Sequence, residues 1–128
     1  VTGSPSETRL TELVAGDDGI DLGGRTSFGD LAAVLAGADA VVVGNTGPAH
    51  LAAAVGTPVV WLFAPTVPAV RWRPWRVPHE LLSIDVPCAG CRARTCPVPG
   101  HPCLSGVTLD AVLAAVGRLA PAREVALR

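Results

Sequence analysis

Lysine, methionine and tyrosine do not occur in the 128 residues, and every cationic side chain is arginine. Without lysine the chain cannot carry the GK[ST] of a phosphate-binding P-loop. Alongside the abundance of alanine, valine, glycine and proline, these omissions point to GC-rich codon usage at the source. Charge is scarce as well: 16 % of residues are charged and the net charge is −1. The basic excess of a nucleic-acid binder is missing, so no nucleic-acid partner is expected. No apolar run approaches the ~20 residues of a membrane helix. The longest, 55–64, is broken by Gly56, Thr57 and Pro58. The four cysteines all fall between Cys88 and Cys103, which does not suit a disulfide framework spread over a secreted domain.

What is present suffices for a core. Hydrophobic residues make up 49 % of the chain, which excludes disorder of the whole, and the length fits one domain. The chain opens on Val1 and its first residues read like the end of a strand, so a piece of a longer protein is expected. A helix is predicted over 6–15, with Leu10, Leu13 and Val14 at helical spacing and Gly16 as its stop. Asp17-Asp18-Gly19 reads as a turn and 20–22 as a short strand. A better-marked helix follows, capped by Thr26 or Ser27, with Asp30 in its first turn and Gly37 after its end. Its apolar stripe is Phe28, Leu31, Val34 and Leu35. The run 40–43 is β-branched and suits a strand buried on both faces. A third helix spans 48–55, a second buried strand 59–63, and a weak strand 81–84. Thr108 caps a last helix with Leu109, Val112, Leu113, Val116 and Leu119. The expected fold class is therefore α/β, a Rossmann-like parallel sheet with helices on both faces and right-handed crossovers. The domain is placed at 1–121, with a Cys-rich loop at 87–106 inside it and a frayed tail at 122–128.

In such sheets ligands bind beyond the carboxyl ends of the strands. The strand at 40–43 runs into Gly44-Asn45-Thr46-Gly47-Pro48-Ala49-His50. The two glycines let backbone approach a ligand closely. The helix that follows offers free N–H groups and the positive end of its dipole, a natural phosphate seat. His50 falls in its first turn, where a protonated imidazole adds a charge-assisted bond. An ordinary strand–helix turn with a surface histidine fits the same residues.

The stretch 26–66, TSFGDLAAVLAGADAVVVGNTGPAHLAAAVGTPVVWLFAPT, resembles glycosyltransferase family 9, the ADP-heptose:lipopolysaccharide heptosyltransferases. The family pattern reads roughly D-[ST]-G-P-x-H-L-A-A-A, then G-T-P and a G-P-T loop. The later CAGCRARTCPVPGHPC looks like the tail of the heptosyltransferase II branch. The resemblance implies the C-terminal, donor-binding half of a GT-B enzyme, with an ADP-sugar as partner and no metal or other cofactor. It implies that Asn45, Thr46, Gly47 and His50 hold the diphosphate, that Glu7 contacts the ribose and that Thr26 lines the adenine pocket. Asn45 stands where many members have Asp, so a charged role there is lost, and Ala64 replaces the glycine usual before Pro65-Thr66. The family's catalytic base lies in the missing N-terminal, acceptor-binding half, and no residue here matches it. The fragment is thus expected to bind a nucleotide sugar weakly without turnover. Implied too are a cytoplasmic location and peripheral membrane contact through the acceptor.

Other groupings keep alternatives open. Arg71-Trp72-Arg73-Pro74-Trp75-Arg76 reads as a nucleic-acid or lipid patch, as tryptophans packed on the domain beneath arginine stems, or as a loop closing over donor or acceptor. Cys88, Cys91, Cys96 and Cys103, with His101 nearby, can close a zinc site, form local disulfides or stay reduced. His79 reads as a solvated loop residue. Asp17, Asp18 and Asp21 suggest a turn before they suggest a metal cluster. Two further functions compete with the transferase: a non-catalytic nucleotide-binding module, and a zinc-stabilised interaction domain using the Arg/Trp loop.

Overall fold

The computed structural model describes residues 1–120, and these fall into two compact units, Val1–Gly37 and the chain from Ala38 onward. The tail expected at 122–128 lies outside the described residues.

In the first unit, Pro5–Glu7 forms one 3-10 turn that runs into helix α1 (Thr8–Ala15). Gly16 closes α1, donating its N–H to the Glu12 carbonyl at 3.1 Å. Helix α2 (Phe28–Ala36) begins at Ser27, not Thr26. Ser27 Oγ accepts from the Asp30 amide at 3.2 Å, and Asp30 Oδ2 accepts from the Ser27 amide at 3.0 Å. This reciprocal box satisfies two donors that a helix start otherwise leaves open. Of the predicted apolar stripe only Leu35 is buried, and Phe28 is largely exposed. The strand expected at 20–22 does not form. Leu22 and Gly24 donate single bonds to the carbonyls of Val1 and Gly3. Three residues between two turns, with Ile20 exposed, bury too little to hold a ladder.

The second unit holds strand β1 (Val41–Gly44), helix α3 (Gly47–Ala54), strands β2 (Val59–Leu62) and β3 (His79–Leu82), and helices α4 (Pro102–Ser105) and α5 (Leu109–Leu119). The sheet is parallel in the order β1-β2-β3, with Val41, Val59 and His79 in register. Its core is the central strand: Val59, Val60, Trp61 and Phe63 are all buried, and the Trp61 and Phe63 rings pack 4.4 Å apart. The class is α/β, as the alternation of short apolar runs and helices predicts.

Two strand expectations need correction. β1 is not buried on both faces, since Val42 is 45 % exposed; it pairs on one side only among the described residues. β3 starts two residues before the apolar run that marked it. Pairing sets its bounds: the Val59 amide donates to Pro78 O at 3.0 Å and the Phe63 amide to Leu82 O at 2.8 Å. His79 is accordingly a strand residue, its Nδ1 3.0 Å from Val77 O.

α3 lies against β1 and β2, and it can do so closely because Ala49 and Ala52 meet the sheet with no exposed surface. α5 lies against β2 and β3 through the buried Ala115. Thr108 Oγ1 caps α5 at 3.2 Å, and Arg118 grips Glu80 of β3 through two bonds of 3.0 and 2.9 Å. The guanidinium holds the Glu80 carboxyl below the usual glutamate range.

Ala52→Leu forces new volume between α3 and the sheet and should cost about 1–3 kcal/mol. Leucine at the exposed Ala54 should stay within about 0.5 kcal/mol. Urea unfolding of the two variants reads the difference.

Candidate functional site

β1 ends at Gly44 and α3 begins three residues later, so 44–50 forms the turn at the carboxyl end of the strand. Thr46 is the N-cap residue, with extended backbone at φ −132°, ψ 174°. Its hydroxyl makes no capping bond. Ser27 and Thr108, at the same position of α2 and α5, both spend theirs on the helix. The Thr46 carbonyl accepts from Ala49 at 3.1 Å. Pro48 has no N–H to offer, and the Gly47 amide begins the helix without an intrahelical partner. Thr46, Gly47 and His50 are all exposed.

Gly47 is not required by the protein. Its φ is not positive, and a Cβ built there meets no atom within 4 Å. A glycine near a helix start that neither backbone angle nor crowding demands fits close approach by something else.

Asn45 Nδ2 donates to Ala64 O at 3.4 Å, a long bond across to the loop after β2. The two departures from the family pattern thus meet. An aspartate at 45 would set an acceptor against that carbonyl, where an amide can donate. Beyond it, the Gly90 amide donates to Pro65 O at 2.6 Å and the Arg92 amide to Thr66 O at 3.1 Å. The loops that follow all three strands are therefore laced to one another by main-chain carbonyls.

The Arg/Trp segment joins the same turn. Ala69–Arg71 is a single 3-10 turn, and the Trp72 ring lies 6.3 Å from that of His50, tilted by 49°. Pro74 is fully buried, whereas Trp72 and Trp75 are 48 % and 65 % exposed. The tryptophan rings are not packed away on the domain: the proline anchors the segment, while Arg76 does sit 5.7 Å over the Trp75 ring. Of the readings the sequence leaves open for this segment, a loop beside the turn 44–50 agrees with the position of Trp72, next to His50.

Glu7 and Thr26 belong to the first unit. Thr26 is half-buried just before the cap of α2. Glu7 Oε2 accepts from the Ser4 amide at 2.8 Å and the Ser4 hydroxyl at 2.6 Å. Those bonds, the hydroxyl's foremost, hold the carboxyl below its ordinary value. Asp21 is likewise lowered, first by the Gly23 amide at 2.9 Å.

All four cysteines are free thiols, and among the described residues no group of three or more His, Cys, Asp or Glu is placed to hold a metal ion. Cys96 instead donates to Val98 O at 3.3 Å. No described helix is long and apolar enough to cross a membrane.

The sequence model of glycosyltransferase family 9, the heptosyltransferases, matches residues 1–101. The chain belongs to this family. It is 42 % identical over 95 residues to lipopolysaccharide heptosyltransferase 1 of Pseudomonas aeruginosa, covering 73 % of this chain and 26 % of that protein. Lipooligosaccharide heptosyltransferase 2 of Campylobacter jejuni serotype O:2 is 28 % identical over 90 residues, covering 70 % of this chain and 28 % of its own length. The chain thus spans little more than a quarter of these relatives. A glycosyl transferase family 9 crystal structure from Veillonella parvula superposes with a TM-score of 0.76 at 20 % identity, over 92 % of this chain and 35 % of that one. That likeness shows the family 9 fold.

The Ser4–Glu7 box carries a pH signature. A carboxyl lowered in the folded chain adds stability above its ordinary value of 4.5, and that increment is lost as pH falls through the lowered one. In an NMR titration the Glu7 carboxyl should show a midpoint below 4.5, and Ser4→Ala should return it toward the ordinary value. An ordinary midpoint in the unaltered chain would remove the box.

Proposed function

We propose that this chain is the donor-binding part of a GT-B glycosyltransferase that moves a heptose-like sugar from an ADP-sugar to a glycan acceptor. The supporting observation is the turn 44–50, where the Thr46 hydroxyl and the Gly47 amide are both left unspent by the helix they open. Family membership supplies the reaction class. In this reading the diphosphate takes those two groups together with the Asn45 segment and an imidazole N–H of His50.

The reaction breaks the bond between the sugar's anomeric carbon and the diphosphate oxygen. An acceptor hydroxyl forms the new glycosidic bond, its proton passes to a base, and ADP leaves. Negative charge builds on the departing diphosphate, and a helix N-terminus with fixed donors stabilises such charge without reorganising. No residue of this chain is assigned as the base. The fragment binds donor and does not turn it over; base and acceptor site belong to the remainder of the longer protein, which works at the cytoplasmic membrane surface.

Calorimetry with ADP tests the reading. His50→Ala and Thr46→Ala should each weaken binding about tenfold, the scale of one hydrogen bond to a charged group. Gly47→Ala should melt no lower than the parent, since helix propensity favours alanine, yet bind ADP far more weakly. Equal ADP affinity in all four proteins would end the reading.

A further inference from the structure

The donor reading leaves one part of the ligand unmatched. The diphosphate has named partners, and the transferred sugar has none. Beside the histidine assigned to the diphosphate stands Trp72, half exposed, its ring centre 6.3 Å from the imidazole. Its backbone is held on both sides. The Trp72 amide donates to Ala69 O at 2.9 Å and the Arg71 amide to Pro68 O at 3.2 Å, and Pro74 two residues on is fully buried. A large ring kept partly in water forgoes apolar burial and leaves a face free for a partner.

We propose that Trp72 is the platform on which the donor's glycosyl unit stacks, and so a residue that sets preference for the sugar. The proposal rests on the donor reading above. The apolar C–H face of a pyranose meets the negative face of the indole, while sugar hydroxyls stay free to hydrogen-bond at the rim. The ring's place next to His50 suits the group bonded directly to the diphosphate. A nucleic-acid or lipid role for the same segment predicts something else: binding through Arg71, Arg73 and Arg76 that falls steeply with salt and ignores the sugar.

The test compares ADP with ADP-heptose by calorimetry on this chain. The unaltered protein should bind ADP-heptose about two- to tenfold more tightly than ADP, the size of one aromatic contact. In Trp72→Ala that ratio should fall to about one, and in Trp72→Phe it should lie between. His50→Ala should lower both affinities together and leave the ratio standing. Melting curves confirm that each variant is folded. A ratio of one in the unaltered chain overturns the proposal while leaving the donor reading intact, and so does a ratio that Trp72→Ala leaves unchanged. Failure of the unaltered chain to bind ADP at all sinks the donor reading and this proposal with it.

Discussion

Everything at the carboxyl edge of the sheet depends on how closely α3 lies on it. Ala49 and Ala52 stand one turn apart and both are wholly buried, so small methyl groups let the helix lie close on β1 and β2. Larger side chains would lift it. A lifted helix would carry its first turn away from the end of β1, and the separation of Thr46, Gly47 and His50 from the loops after β2 and β3 would change. Close packing here fixes the placement of polar groups, which themselves contribute little to the fold.

Hydrogen-bond accounting separates the start of α3 from the starts of α2 and α5. Among the described residues three α-helices begin on Ser or Thr. In two, the hydroxyl closes the helix at 3.2 Å. In the third it does not, and an unmade cap costs roughly 0.5–2 kcal/mol. Under the proposed donor reading, a ligand oxygen in the same position would restore the bond, and the cost would become part of the binding energy. Trp61 Nε1, buried without a partner, is a different case. It sits in the core strand and reflects packing of a large ring against Phe63, at a site where volume outweighs one donor.

Much of this was legible in the residues. The run Val59-Val60-Trp61-Leu62 had to be a buried strand, Thr108 had to cap α5, and Gly47-Pro48 had to open a helix, because each rests on local chemistry that the chain satisfies locally. What misled was burial inferred from apolarity. Val42, Phe28 and Ile20 are exposed, for a β-branched run at a sheet edge looks the same as one at the centre. The two-residue error in β3 has a related origin: His79 and Glu80 are polar, but their backbone pairs with Val59 and Val60, and Glu80 finds its partner in Arg118, 38 residues on. A pairing at that distance leaves no periodic trace.

The Cys-rich loop is held in place by its main chain. Gly90 takes φ 80°, a conformation glycine adopts at little cost, and the turn it makes offers its N–H to Pro65. Arg92, at φ 53°, does the same for Thr66. A non-glycine residue in that region costs about 1 kcal/mol or more and persists only where its surroundings impose it. Here the imposing contact is the loop after β2, which Asn45 also reaches. Substitutions in the cysteine loop should therefore be felt at the turn after β1 through Pro65 and Thr66, whether or not any thiol is retained, and the backbone angle at 90 should matter more than the sulfur at 88 or 91.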